Sequence, residues 1–322
     1  SVTAFVSRRM GPAFLEYGIS ALVSGIYAGN PDALSIRHAF GKVWNLEQKY
    51  GSLIGGSLKL KRERRREGIS PFKSRMISFK DGLVTLVEAL SSHPGLTCLN
   101  SVDLQSLQRD PESNWTLELR FSYGPQTVSG KRLVLAVPLD SLRELPLAGE
   151  LGAGIRSLPA IDHPPLSTLV LGFRREDVGH PLDGFGVLCP RREKRFALGC
   201  IFSSTLFPGR APAGCVSLMA FIGGVQQPQN GRLPTAELVR ETVRDLRPLL
   251  DLRGEPVFHS HTFWPRAIPQ YNVGHGAFLA ELEALEKAFP GLHLEGNFRG
   301  GPGLNDCLER GLAFRESGAA SD

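Results

Sequence analysis

One stretch limits the folds open to this chain more than any other: Leu292-His293-Leu294-Glu295-Gly296-Asn297-Phe298-Arg299-Gly300-Gly301-Pro302-Gly303-Leu304-Asn305-Asp306-Cys307-Leu308-Glu309-Arg310-Gly311. It reads as a short strand, a glycine-rich turn and a helix. Glycine takes up positive φ and lets a backbone come close to a ligand. The first turn of a helix offers unpaired N–H groups at the positive end of its dipole. Together these can cradle the electron-rich edge of a ligand. A tight strand-to-helix turn without a ligand fits the same spacing, because glycine-rich loops occur in many folds.

The 322 residues are enough for two or more folding units. Hydrophobic residues make up 42% and charged residues 21%, a globular and not a disordered balance. The formal charge of +5 permits an acidic small molecule or an anionic membrane surface as a partner. Five cysteines (Cys98, Cys189, Cys200, Cys215, Cys307) are scattered without a C-x-x-C pair. That speaks against a disulfide scaffold or a zinc site and for a reducing compartment. No apolar run reaches transmembrane length and no signal peptide is visible.

In chain order, residues 2 to 22 carry a helical pattern (Val2, Phe5, Val6, then Phe14, Leu15, Ile19, Leu22), punctuated by Gly11-Pro12. Ser24 to Asn30 reads as a loop, either a simple turn or a close approach to a ligand. Helical patterns return from Ala33 to Tyr50 and again from Ser52. The second runs into Lys59-Leu60-Lys61-Arg62-Glu63-Arg64-Arg65-Arg66, a solvated helix face or a contact for anionic lipid headgroups. A nucleic-acid reading lacks interleaved aromatic residues. A helix is expected over Leu83 to Ser92.

Strands are expected at Leu96–Asn100, at Trp115–Phe121 with strict alternation, and at Leu133–Val137, ended by Pro138. Residues 140 to 165, rich in Leu, Pro and Gly, look like a crossing into a second unit. Thr168–Phe173, Gly184–Leu188, Phe196–Phe202 and Cys215–Ile222 follow with no helical pattern between them, which predicts an antiparallel sheet. The helix Thr235–Leu250 places Leu238, Val239, Val243, Leu246 and Leu250 on one face. His259 and His261 point the same way from a strand, but no third metal ligand is in view. A helix over Ala277 to Phe289 leads back to the opening strand.

Four ordered stretches carry a resemblance. Gly300-Gly301-Pro302-Gly303-Leu304-Asn305-Asp306-Cys307 followed by Gly311 resembles the C-terminal flavin motif of the protoporphyrinogen oxidases, in the FAD-dependent amine oxidase superfamily. Ser24-Gly25-Ile26-Tyr27-Ala28-Gly29-Asn30, Phe185-Gly186-Val187-Leu188, and Ile268-Pro269-Gln270-Tyr271 with Gly274-His275 agree in type and order. Asp81 departs from the glycine pair that the family has at that point.

The resemblance implies an α+β fold. It implies a helical substrate- and membrane-side region over 1–75 and a middle portion of the FAD domain over 76–140. A substrate-binding sheet over 141–262 and a C-terminal FAD portion over 263–322 would follow. The family's first unit carries a G-x-G-x-x-G turn for the FAD pyrophosphate. No such turn follows a strand here, and the chain opens on Ser1. The FAD-binding, Rossmann-like domain is therefore expected to be incomplete, and the chain to be a fragment with little activity and weak FAD binding of its own.

By the same resemblance Phe185, Gly186, Leu188, Phe221 and Gly25 border a porphyrinogen. Gly303, Leu304 and Asn305 would present N–H groups to the flavin, the backbone at Val102 would meet the adenine, and Trp264 would border the flavin ring. Ordinary strand core is the alternative for Phe185 and Leu188, and a plain strand end for Val102. The implied reaction is oxidation of protoporphyrinogen IX to protoporphyrin IX with FAD and O₂ in haem biosynthesis. The cofactor carries that chemistry, so no catalytic side chain or metal ligand is assigned.

The competing readings are oxidation of coproporphyrinogen III, another flavin amine oxidase, and a non-catalytic porphyrin-binding protein. Expected partners are the porphyrinogen, a peripheral membrane contact on the cytoplasmic side and a second copy in a homodimer, with no nucleic acid.

Overall fold

A computed structural model describes residues 1–68, 76–110 and 114–318. The chain forms two compact units, each built from two segments: residues 1–76 with 162–273, and residues 77–161 with 274–322.

The first unit is organised on a five-stranded antiparallel sheet. Its strands, the fifth to ninth in chain order, are β5 (Leu166–Arg174), β6 (Gly186–Leu188), β7 (Gly199–Ile201), β8 (Cys215–Gly223) and β9 (Phe258–Trp264). Their order is β6-β7-β8-β5-β9, as the run of strand patterns without a helix predicts. Alternation along β5 sends Leu169, Leu171 and Phe173 to one face, where they are fully buried with Leu218, Ala220 and Ile222 of β8. The Thr235–Leu250 helix covers that face through Leu238, Val243, Leu246 and Leu250. Burial of such a side chain stabilises by about 2 kcal/mol each.

The rest of this unit is helical. The Val2–Met10 helix is capped by the Ser1 hydroxyl, which accepts from the Ala4 N–H. A π-helical turn, Leu15–Ile19, joins the chain to the Ser20–Tyr27 helix. The expected loop from Ser24 is thus helical through Tyr27, and Ala28 ends the helix in the left-handed conformation (φ 49°). The expected helix over 33–50 is divided at Phe40 into Ile36–Ala39 and Gly41–Tyr50. Ser52 caps the Leu53–Arg66 helix by accepting from the Gly55 N–H. Val2, Phe5, Val6, Val23, Tyr27, Leu34, Ile36 and Tyr271 form the core of this region.

The second unit holds a three-stranded antiparallel meander of β1 (Asp103–Arg109), β2 (Trp115–Phe121) and β3 (Gly124–Gly130). It also holds a short parallel pair, β4 (Leu133–Leu135) beside β10 (Leu292–Leu294). β2, β4 and β10 show in the sequence pattern, and β1 and β3 do not. A register shift between Leu104 and Ser106 breaks the alternation of β1, and β3 is polar and almost wholly exposed. Leu96–Asn100 is not a strand; it is exposed and forms no ladder among the described residues. Leu142, Leu147, Leu151, Ile155 and Leu158 pack here with Trp115, Phe278, Leu282 and Phe298. Residues 141–161 therefore belong to this unit's core and not to the sheet of the first.

Candidate functional site

In the first unit a cavity of ≈ 490 Å³ opens against the β6–β7 ribbon. Gly25 contributes to it with Phe185, Gly186, Leu188 and Phe221. Stretches far apart in sequence thus converge on one wall. β6 pairs with β7, and β7 with β8, so Leu188 faces Gly199 and Gly199 faces Phe221. The Phe202 N–H bonds the Phe185 carbonyl at 3.0 Å and holds the segment before β6 in place.

The strand-core alternative does not hold for the two large residues, since Phe185 is 54% and Leu188 47% exposed. They present an open apolar wall. Gly25 lets the Ser20–Tyr27 helix come against β6: a Cβ there would collide with Leu188 Cδ2. Leu22, Ile26, Val187, Gly199, Cys200 and Ile201 complete the lining, which carries no charged side chain. The Cys200 thiol is pushed up to about 12 by burial, with the neighbouring Cys189 adding to the shift, so it stays protonated. The wall can hold a large apolar body, and no acid–base pair points into it.

The Pro269-Gln270-Tyr271 segment also belongs to this unit. The Gln270 side chain is buried and donates to Tyr27 O and, at 3.0 Å, to Ile268 O. Trp264 ends β9 half exposed, with its indole N–H directed to Thr168 Oγ1 at 3.3 Å. Both ring nitrogens of His261 are engaged within the protein. Ser167 donates to the Gly231 carbonyl at 2.7 Å, so it accepts from His261 Nε2–H at 2.8 Å. His261 Nδ1 then accepts from the Thr235 hydroxyl at 2.9 Å.

The glycine-rich run lies in the second unit. Gly300 and Gly301 take positive φ (85° and 146°), and a Cβ on Gly301 would overlap the Asp306 carboxylate. That carboxylate accepts from the Gly303 N–H at 3.0 Å. Gly303, Leu304 and Asn305 are exposed where the Leu304–Gly318 helix begins. Their turn is the open, positive end of a helix dipole, without intrahelical acceptors for its first N–H groups. Val102, in the same unit, immediately precedes β1.

Sequence reasoning missed the network that holds this turn. Glu286 accepts from Arg299 Nη1 at 2.7 Å and from the Leu294 N–H at 2.8 Å, while Arg310 pairs with Glu295. A second cavity of ≈ 410 Å³ lies beside it, lined by Val134, Pro138, Gly296 and, on the helix, Cys307, Gly311 and Phe314. These charged residues are ordinary helix and strand surface by pattern, and only their meeting shows the network.

The observed geometry fits a flavin edge. Asp306 packs against Gly301 and takes the Gly303 N–H, which fixes the turn, and the exposed Leu304 and Asn305 would offer N–H donors to an acceptor edge.

Comparisons with known proteins identify the family. Residues 2–313 match the family profile described as flavin containing amine oxidoreductase. The mitochondrial protoporphyrinogen oxidase of Nicotiana tabacum is 32% identical over 97% of this chain and 66% of its own length. The coproporphyrinogen III oxidase of Bacillus subtilis (strain 168) is 29% identical, with the same shares of 97% and 66%. A solved structure from Exiguobacterium sp. 255-15, provisionally named as a protoporphyrinogen oxidase, shares the fold. Its TM-score is 0.77 at 23% identity, over 100% of this chain and 67% of that one. The chain thus spans just under two thirds of the length of these curated relatives.

Proposed function

The chain belongs to the flavin-containing amine oxidoreductase family, and from that premise we propose that it serves the oxidation of a porphyrinogen to a porphyrin in haem biosynthesis. FAD is the family's cofactor. The observation that carries the reading is the uncharged cavity on which Gly25, Phe185, Gly186, Leu188 and Phe221 converge. A macrocycle of pyrroles is large, flat and apolar, and such a wall orients it and excludes water.

When bound, FAD supplies the two-electron acceptor, and O₂ reoxidises it. The protein's part is to place the ring and to stabilise charge. The turn of Gly303, Leu304 and Asn305 would hold the flavin edge, Leu304 and Asn305 through backbone N–H groups and Gly303 by its fixed bond to Asp306, an arrangement suited to negative charge developing there. The Val102 backbone and Trp264 are assigned to cofactor binding on the same footing.

We further infer that this chain alone retains FAD poorly. Parallel strands are ordinarily covered on both faces, whereas β4 and β10 make a ladder of two strands with Val134 43% exposed. Peripheral membrane contact is assigned to the outer face of the Leu53–Arg66 helix. There Ile54 (79% exposed) and Leu58 (56%) share a stripe with Arg62 at four-residue spacing. Among the described residues no helix is long and apolar enough to cross a membrane.

The test is a titration of the purified chain with a porphyrin, followed by its fluorescence, together with visible spectra before and after added FAD. We expect saturable porphyrin binding that Gly25→Val and Phe185→Ala both weaken, and little flavin retained. Porphyrin binding indifferent to both substitutions would sink the cavity reading. Stoichiometric retained flavin would sink the inference of poor retention. Turnover of protoporphyrinogen IX against coproporphyrinogen III, above a blank of free FAD, separates the two substrates.

A further inference from the structure

The Gly41–Tyr50 and Leu53–Arg66 helices fold back on one another at Gly51, which adopts the left-handed conformation (φ 68°). Within the basic run 59–66 the single acid is Glu63. It is already engaged by Lys49 Nζ at 3.0 Å and the Tyr50 hydroxyl at 2.5 Å. Beside that contact lies a groove of ≈ 410 Å³. Val43, Leu46 and Leu60 form its apolar floor. Lys42 stands on one rim, and Lys61, Arg64 and Arg65 on the other.

No carboxylate lines the groove, and none of its four cations has an ion-pair partner among the described residues. Lys61 is three and four residues from Arg64 and Arg65, a spacing at which like charges repel. An anionic occupant would relieve that repulsion. Cations on both rims select a ligand that carries acid groups on opposite edges of an apolar body; an amphiphile with a single head satisfies one rim only. A porphyrin with a propionate on each of its four pyrroles has the required form, which two propionates on one edge do not: aliphatic floor against the ring, ammonium and guanidinium groups against the carboxylates.

We propose that this groove is a second tetrapyrrole site, which holds a porphyrin product with four propionates and takes no part in its oxidation. The choice of ligand rests on the porphyrinogen reading above. The groove shares no lining residue with the Phe185 cavity, so the two sites can be emptied separately by substitution.

The experiment is equilibrium binding of coproporphyrin III, a soluble tetracarboxylate, to the full chain. Two equivalents are expected. The double reversal Lys61→Glu/Arg64→Glu, at exposed side chains, should lose one, and Gly25→Val or Phe185→Ala should lose the other. The fully esterified porphyrin should bind as one equivalent that the charge reversal leaves alone. A single equivalent untouched by the reversal overturns the groove site and leaves the functional reading standing. Binding lost only through the reversal supports the groove and sinks the cavity reading. If the reversal abolishes sedimentation with phosphatidylserine vesicles but keeps both porphyrin equivalents, the groove is a lipid surface and the proposal is overturned.

Discussion

Gln270 Nε2 donates to the carbonyl oxygen of Tyr27 at 2.7 Å, across 243 residues of sequence. The Tyr27 carbonyl lies at the end of the Ser20–Tyr27 helix, where helical carbonyls have no partner of their own. One side-chain amide therefore joins two stretches that the sequence marks separately, and it does so next to the helix that forms one wall of the cavity. Gly29 makes room, since a Cβ there would lie 2.5 Å from Gln270 Oε1.

Gln270→Leu keeps much of the side chain's bulk and leaves the buried Tyr27 carbonyl and the half-buried Ile268 carbonyl without that donor. It should lower stability by about 2 kcal/mol. Urea unfolding of the variant beside the parent chain measures it, and an unchanged midpoint would show that the clamp is dispensable.

Gly25 and Leu188 should be energetically coupled. Gly25→Val drives side-chain atoms into Leu188 and should weaken porphyrin binding roughly tenfold, about 1.4 kcal/mol. Leu188→Ala opens space and should restore part of that loss in the double variant. Strict additivity in the cycle would mean that the two residues do not meet.

Gly301 combines a φ of 146° with the Asp306 carboxylate where a Cβ would stand. Gly301→Ala should cost about 2 kcal/mol and should also reduce whatever affinity the chain has for FAD. Thermal melts and flavin fluorescence titration report the two effects separately. A variant with parental melting and parental FAD affinity would remove this turn from the cofactor assignment.

His261 makes stability depend on pH. Burial lowers its pKa below the ordinary 6.5, and its Nδ1 accepts a bond that a second proton would abolish. The unfolded chain then binds the proton more readily than the folded one. The stabilisation is complete above pH 6.5 and is lost as pH falls through the lowered folded value. His38 is lowered too, by burial and then by the Arg37 charge, so the test must isolate His261. The difference in urea midpoint between parent and His261→Gln should shrink from pH 7.5 to pH 5.5 if the bond breaks as stated. A difference that stays constant over that range would contradict it.

The cysteines should divide by reactivity. Burial pushes Cys189 up to about 11 and Cys200 up to about 12, while Cys98 and Cys307 are exposed, with Cys307 also raised by burial of its thiol. Iodoacetamide on the folded chain should label Cys98 well before Cys189 or Cys200. Mass spectrometry of timed digests gives the order, and early labelling of Cys200 would show the cavity wall to be looser than described.

Local pattern is what the sequence determined by itself. The Thr235–Leu250 helix is visible in its 3.6-residue repeat, and β2, β5 and β8 in their apolar residues, because those periods depend only on which face of a single element is buried. The glycine-rich turn before the Leu304–Gly318 helix shows in residue types alone, since few residues other than glycine tolerate such φ values. Ser24–Tyr27 misled for the same reason: Gly25 looks like loop chemistry, yet it is a helical glycine kept small by Leu188.

Tertiary structure alone decided what those elements meet. That Leu188 stands opposite Gly199, that Glu286 receives Arg299, and that Lys42 faces Lys61, Arg64 and Arg65 across a groove are results of chain reversal and pairing register. A one-residue change of register would send every side chain of a strand to the other face while leaving its composition unchanged. Periodicity therefore says which residues are buried, but their partners are chosen by contacts between segments distant in sequence, as between Gln270 and Tyr27.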